Sequence, residues 1–247
     1  MSRQGVTVIS GSRRSNKNTH PDKTTTSDDG IAVDQANDKP YLFEHRLDVA
    51  DNESVDAFIS FAKSTAPNGV IDILINAAGV SVHQPVCGHD DAAWQSVIDI
   101  NLTGAFRMTR AVLPDMHAQG WGRIVNIGST AATTGAVDNP AYCASKAGLL
   151  GLTRCVALEG APHGVTCNMV SPTWIDTPMM ANSMALWTKK PNGPKSVEAA
   201  MQQVANDNPQ KRVLQAEEVA SIVRHLCSDE ARGLTMENIQ VTGGAIW

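Results

Sequence analysis

The sequence predicts an α/β fold: a single doubly wound sheet of parallel strands, about seven of them, with helices on both faces. Short apolar runs alternate along the chain with amphipathic helical stretches. Those runs are apolar almost throughout, as expected of strands covered on both sides. Small polar residues close several of them (Ser10, Asn76, Ser129 and Ser171), where an open parallel sheet collects its ligands.

In order, Val6 to Ser10, Ile31 to Asp34 and Tyr41 to Leu47 read as the first three strands. Asn52 to Ala66 reads as a helix, with Val55, Phe58, Ile59 and Ala62 at helical spacing. Val70 to Ile75 is the fourth strand. A long helical region runs from Ala92 to Gln119, with Gly120 as its stop. Arg123 to Ile127, Val165 to Val170 and Asn238 to Val241 are the remaining strands, and Ala141 to Glu159 is a helix. Residues 178–208 interrupt the alternation and read as a long insertion, in which Met179, Met180 and Met184 could follow an irregular ligand surface. The chain is expected to form one domain over 1–247.

The 247 residues carry a net charge of −5, which gives no footprint for nucleic acid. No run reaches the length of a membrane span, and the start, Met1 to Gly5, lacks a secretory pattern. Five cysteines form no CxxC, so reduced thiols and a cytoplasmic setting are expected. The seven histidines show no paired-ligand spacing, and no metal is expected.

Chemistry concentrates at Tyr142-Cys143-Ala144-Ser145-Lys146. Tyr and Lys at i and i+4 share a helix face. An ammonium one turn from a phenol favours the phenolate and lowers its pKa towards the working range. Ser129, at a strand end, could hydrogen-bond a substrate oxygen beside that phenol. Together the three make a proton-transfer device for a carbonyl or alcohol.

Further motifs follow in order: Ile75-Asn76-Ala77-Ala78-Gly79, Asn101-Leu102-Thr103-Gly104, and Ser171-Pro172-Thr173-Trp174-Ile175-Asp176-Thr177-Pro178. The set resembles the short-chain dehydrogenase/reductase family from about residue 42 to the end. The resemblance implies a Rossmann-like fold and an NAD- or NADP-dependent oxidoreductase interconverting a ketone and a secondary alcohol. It implies Tyr142 as acid/base, Lys146 as its tuner and ribose holder, Ser129 as the group orienting the carbonyl, and Asn101 as holder of a relay water through its backbone. Asn76, Ala77 and Gly79 would line the cofactor crevice, with Asp48 and Val49 at the adenine. Thr177 would contact the nicotinamide, and Pro172 and Ile175 would also bind the cofactor. Thr173 departs from the glycine the family usually carries. The insertion at 178–208 would be the substrate lid, and the assembly a homo-oligomer, tetrameric or dimeric. Asn208 to Arg212 and Val241 to Gly244 resemble members acting on 3-oxoacyl thioesters and cyclic ketones.

The first turn departs most. The family pattern resembles T-G-x-x-x-G-x-G, and here it reads Ser10-Gly11-Ser12-Arg13-Arg14-Ser15-Asn16-Lys17. Ser15 and Lys17 replace glycines that let backbone approach a pyrophosphate. Residues 13–29 contain no Leu, Ile, Val, Met, Phe, Tyr or Trp, so no apolar stripe can hold a helix on the sheet. The segment reads as a polar, mobile loop, with the first helix region disrupted. Three readings stay open: Arg13, Arg14 and Lys17 bind the phosphates in place of the glycine amides; or cofactor binding is weakened or lost and the scaffold serves as a lyase, an isomerase or a binding subunit; or the segment is simply a solvated basic loop. Asp34 favours NAD through the ribose hydroxyls, whereas Arg13 and Arg14 favour the NADP phosphate.

Overall fold

The structure, a computed structural model, describes residues 7–13 and 41–245. Arg14, Lys17, Asp34 and the expected strand Ile31 to Asp34 lie outside the described residues. β1 (Thr7–Ser12) pairs in parallel with β2 (Tyr41–Arg46), Thr7 opposite Tyr41. A second, four-stranded parallel sheet runs β3 (Ile73–Asn76), β4 (Gly122–Ile127), β5 (Val165–Pro172) and β6 (Asn238–Val241), neighbours in chain order.

Both faces of that sheet are covered. Ile124 and Cys167 point into a core with Met108, Val112 and Met116 of α3 (Gly104–Gln119) and Val156 and Ala157 of α4 (Pro140–Gly160). Val125 and Val170 point the other way, onto Val223 and Leu226 of α7 (Ala216–Leu226). One-residue alternation along each strand therefore produces the doubly wound layering. α1 (Asn52–Thr65) buries the four apolar residues its spacing predicts and is capped by Asp51, whose side chain accepts from Glu53 N.

The long helical region is continuous but not uniform. α2 (Asp91–Ile98) passes into a π-helical segment, Asp99–Thr103, before α3 begins. Gly120 ends α3 with φ 73°, the left-handed cap its position predicts. α7 is absent from the expected elements.

The return into β5 relies on Gly164. Its φ is +70°, and a Cβ there would lie 2.4 Å from the Gly120 carbonyl oxygen. Neither obstacle can move, because both are backbone. Gly164→Ala is expected to lower stability by about 1–3 kcal/mol in urea unfolding.

The insertion folds as two helices, α5 (Pro178–Trp187) and α6 (Val197–Asp207). Met180 and Met184 are buried with Ala200, packed by Trp174, Trp187 and Val204. These methionines are committed to a core between α5 and α6, so they do not meet a ligand as the sequence predicts. Met179 and Leu186 remain exposed. Asn208 and the Val241 to Gly244 stretch owe part of their character to packing: Asn208 Nδ2 donates to Thr242 O, and Gly243, at φ +62°, lies against the Asn208 amide.

Candidate active site

The turn after β3, the end of β4 and the first turn of α4 come together where such a sheet usually binds its ligand, bringing Gly79, Ser129, Tyr142 and Lys146 close to one another. β4 ends at Ile127, and Gly128 is bonded to Val170 O across β5. A Cβ on Gly128 would lie 2.0 Å from Met169 Cε and 2.7 Å from Ser171 Oγ, so the backbone leading to Ser129 packs directly on the side chains of β5. Ser129 accepts from Ala131 N at 3.2 Å and hydrogen-bonds the Tyr142 side chain. Pro140 opens α4, and Tyr142 and Lys146 follow in its first two turns. The Lys146 Nζ lies 5.6 Å from the centre of the Tyr142 ring. Phenol, strand-end hydroxyl and ammonium thus share one neighbourhood.

The electrostatics differ from the sequence expectation. Burial pushes the Tyr142 phenol above its usual value, and the Ser129 hydrogen bond partly opposes this. The expected lowering by Lys146 is not found. Burial drives that ammonium itself down to about 8, and Nζ donates to Ile127 O at 2.7 Å. Of three N–H donors, this is the one hydrogen bond it makes among the described residues, and no carboxylate faces it. A buried cation with spare donors is costly unless a ligand completes it.

Asn101 is 1% exposed inside the π-helical segment. Its Oδ1 accepts from Val80 N at 2.8 Å, and its Nδ2 donates to Val80 O at 2.9 Å and to Ser145 Oγ at 3.0 Å. The side chain is therefore spent on structure, and only the backbone remains for a relay water. A π-turn withdraws backbone carbonyls from the regular ladder, a common feature of functional sites. Ser145, which sequence reasoning passed over, donates to Tyr142 O at 2.8 Å and so joins Asn101 to the first turn of α4. Its place three residues after Tyr142 was the available signal.

Asn76 is half-buried at the end of β3. Its Nδ2 donates to Asn126 Oδ1 at 2.8 Å, and Asn126 Nδ2 donates to Thr153 Oγ1 at 2.9 Å. Strand alternation puts Asn76 on the face of buried Leu74, so its amide ties β3 to β4 at this strand end. Gly79 stands in the crevice: a Cβ on it would sit 3.8 Å from Lys146 Nζ and 3.6 Å from Asn101 Oδ1. Ala77 is exposed in the same turn.

The remaining predicted contacts divide. Gly11 packs tightly, since a Cβ there would lie 2.6 Å from Leu47 Cδ2 and 2.8 Å from Phe58 Cε2. Arg13 is exposed beyond β1. Asp48 turns one carboxylate oxygen to Ala50 N at 3.0 Å. Val49 is buried, and its carbonyl accepts from Arg107 Nη1 at 3.2 Å. Pro172 closes β5, Ile175 bridges to Leu214, and Thr177 Oγ1 caps α5 at Met180 N, 3.3 Å away. Among the described residues, no group of three His, Cys, Asp or Glu could hold a metal, and no helix is long and apolar enough to cross a membrane.

The residues present fit a nicotinamide nucleotide. Lys146 offers buried donors with one protein partner, and Gly79 leaves the space before them open. Lys146 and Gly79 would hold the ribose side of the group.

Residues 27–245 match the family model described as enoyl-(acyl carrier protein) reductase. The 3-oxoacyl-[acyl-carrier-protein] reductase FabG of Vibrio harveyi is 36% identical over 225 residues, 90% of this chain and 84% of the relative. D-beta-hydroxybutyrate dehydrogenase of Cupriavidus necator is 32% identical over 203 residues, 82% of this chain and 74% of the relative. A solved variant of actinorhodin polyketide ketoreductase, crystallised with NADPH, is 34% identical with a TM-score of 0.78, covering 82% of this chain and 77% of that one. Motif order, crevice geometry and these likenesses agree: the chain belongs to the short-chain dehydrogenase/reductase family, oxidoreductases that interconvert ketones and secondary alcohols with NAD or NADP.

Proposed function

We propose that this protein reduces a ketone to a secondary alcohol, with Tyr142 as the proton donor. The observation that carries the reading is the buried Lys146 ammonium, unmatched by any carboxylate and set beside a Tyr142 phenol that Ser129 already engages.

Burial holds the Tyr142 phenol above its ordinary value and so favours its protonated form, which suits donation to a nascent alkoxide more than proton abstraction. The Ser129 hydroxyl holds the carbonyl oxygen and stabilises the charge that develops on it. The Lys146 donors left free by Ile127 hold ribose hydroxyls and keep positive charge near the phenol. The Asn101 backbone would hold a bound water, and that water would relay replacement protons inward. Gly11 and Arg13, with Arg14 and Asp34, serve the phosphate and adenosine end, Asp48 and Val49 the adenine, and Ala77, Pro172, Ile175 and Thr177 the nicotinamide. When bound, the nicotinamide supplies the hydride.

By likeness to its relatives, the substrate is a 3-oxoacyl thioester or a cyclic ketone. The α5–α6 insertion serves as the lid over it. We place the working protein in the cytoplasm as a homo-oligomer, a tetramer or dimer: its thiols are free, and Trp94, Phe106 and Leu158 expose large apolar side chains on α2, α3 and α4.

Titration with NADH and NADPH, followed by nicotinamide fluorescence, tests the reading. Micromolar binding of at least one nucleotide is expected. Silence with both would overturn it and leave a non-redox scaffold.

A further inference from the structure

Three segments meet at the rim of the crevice, and each is bonded to the other two. The loop after β3 reaches the loop before α4 through Ser81 Oγ, which donates to Asn139 Oδ1 at 3.1 Å. The same first loop reaches α5 through His83 Nε2 and Ser183 Oγ, 3.1 Å apart. The loop before α4 reaches the turn that follows the same helix through the ion pair between Asp138 and Lys190. Ser183 gives its own hydrogen to Met179 O at 3.1 Å, so the His83 Nε2–H is the donor in that bond.

None of these contacts belongs to the core of a single element. Val80, which opens the first loop, is held on both backbone atoms by Asn101. Asn139 is buried and directly precedes the turn that carries Tyr142. Asp138 has φ 59°, a left-handed conformation that a non-glycine residue rarely adopts. Such strain persists where surrounding contacts over-determine it, commonly at ligand clamps. Here it aims the carboxylate at Lys190.

We propose that His83–Ser183 and Asp138–Lys190 form a two-point latch that holds α5 closed over the Tyr142 crevice, making His83 and Asp138 positioning residues for substrate. The latch rests on reading this crevice as the reaction site. Its two fixed ends are anchored, one by the Asn101 bonds to Val80 and the other by the start of α4, so the latch closes α5 onto backbone that stays in place when it opens. The bonds are few and lie at the rim, so opening requires no disruption of the buried Met180 and Met184 cluster.

The test uses the full chain. Hydrogen exchange of amides 178–190 is measured without ligand in wild type, His83→Ala, Ser183→Ala, Asp138→Asn and the His83→Ala/Ser183→Ala pair. Asn is chosen because it tolerates the left-handed conformation while removing the charge. Each of the first two variants is expected to speed exchange in α5 by about 2- to 10-fold, with α4 amides unchanged. The pair is expected to be no faster than either single variant, and His83→Gln, which keeps an N–H donor, is expected to restore protection. Asp138→Asn is expected to give a smaller increase, up to about 5-fold. In parallel, KM for acetoacetyl-CoA with NADPH should rise in the same order while kcat holds.

Unchanged exchange at 178–190 in all variants, or additive effects in the pair, would overturn the latch. Faster exchange in variants of a protein that reduces no ketone would support the latch and overturn the function proposed above, so the two failures are distinguishable.

Discussion

Tyr142→Phe is expected to fold as the wild type does, bind NADPH with similar affinity, and lose about 10²–10⁴-fold in kcat. The substitution removes one oxygen from a half-buried ring. The lost bond to Ser129 leaves that hydroxyl its contact with Ala131 N, so the cost in stability should stay near about 1 kcal/mol. A protein that folds and binds but does not turn over separates proton donation from every structural role of the residue. Circular dichroism, nucleotide fluorescence and steady-state rates on the same preparation provide the check.

Lys146→Met is expected to make the ligand-free protein more stable and nearly inactive. An ammonium that is 4% exposed, with one hydrogen bond and no counter-charge, burdens the empty fold. Replacing it with an apolar side chain of similar length should raise stability by about 1–4 kcal/mol, or roughly 2–4 °C in Tm per kcal/mol for a chain of this size. Nucleotide affinity and kcat should both fall, kcat by at least about 10²-fold. The pH dependence has a definite sign. The folded-state value is about 8 against an ordinary 10.5, so between these pH values the unfolded chain binds more protons. Stability from this group therefore rises with pH across that window, and the penalty is fully present below about 8. Lys146→Met should lack this rise. A variant less stable than wild type at pH 7 would show that Lys146 supports the fold itself.

Much of this was legible in the sequence because the signals were local. β4 and β5 read as strands because their residues are apolar on both faces, and the structure buries them on both. Tyr142 and Lys146 were readable because helical spacing alone places them on one face. α7 was missed although Val219, Ile222, Val223 and Leu226 recur at helical spacing and Glu218 completes a capping box with Gln215. The inward turn of Asn76 was also within reach, since two-residue alternation ties it to Leu74.

Other features were not legible. A π-helical segment has the same composition as the α-helix around it, so Asp99–Thr103 left no mark. The direction of the Tyr142 shift depends on how many neighbours exclude water, which spacing does not record. Ser183 meets His83 across 100 positions, a pairing that only the folded chain brings about. The methionines of α5 carry no label saying whether they face α6 or the crevice.

The central claim is that Tyr142 and Ser129 act as one proton-donating unit. The most direct measurement is a double-mutant cycle on kcat, comparing Tyr142→Phe, Ser129→Ala and both together with acetoacetyl-CoA and NADPH. Groups that work as a unit give non-additive losses, so the double variant should be about as slow as Tyr142→Phe alone. Losses that multiply, or a Tyr142→Phe protein turning over near the wild-type rate, would contradict the account.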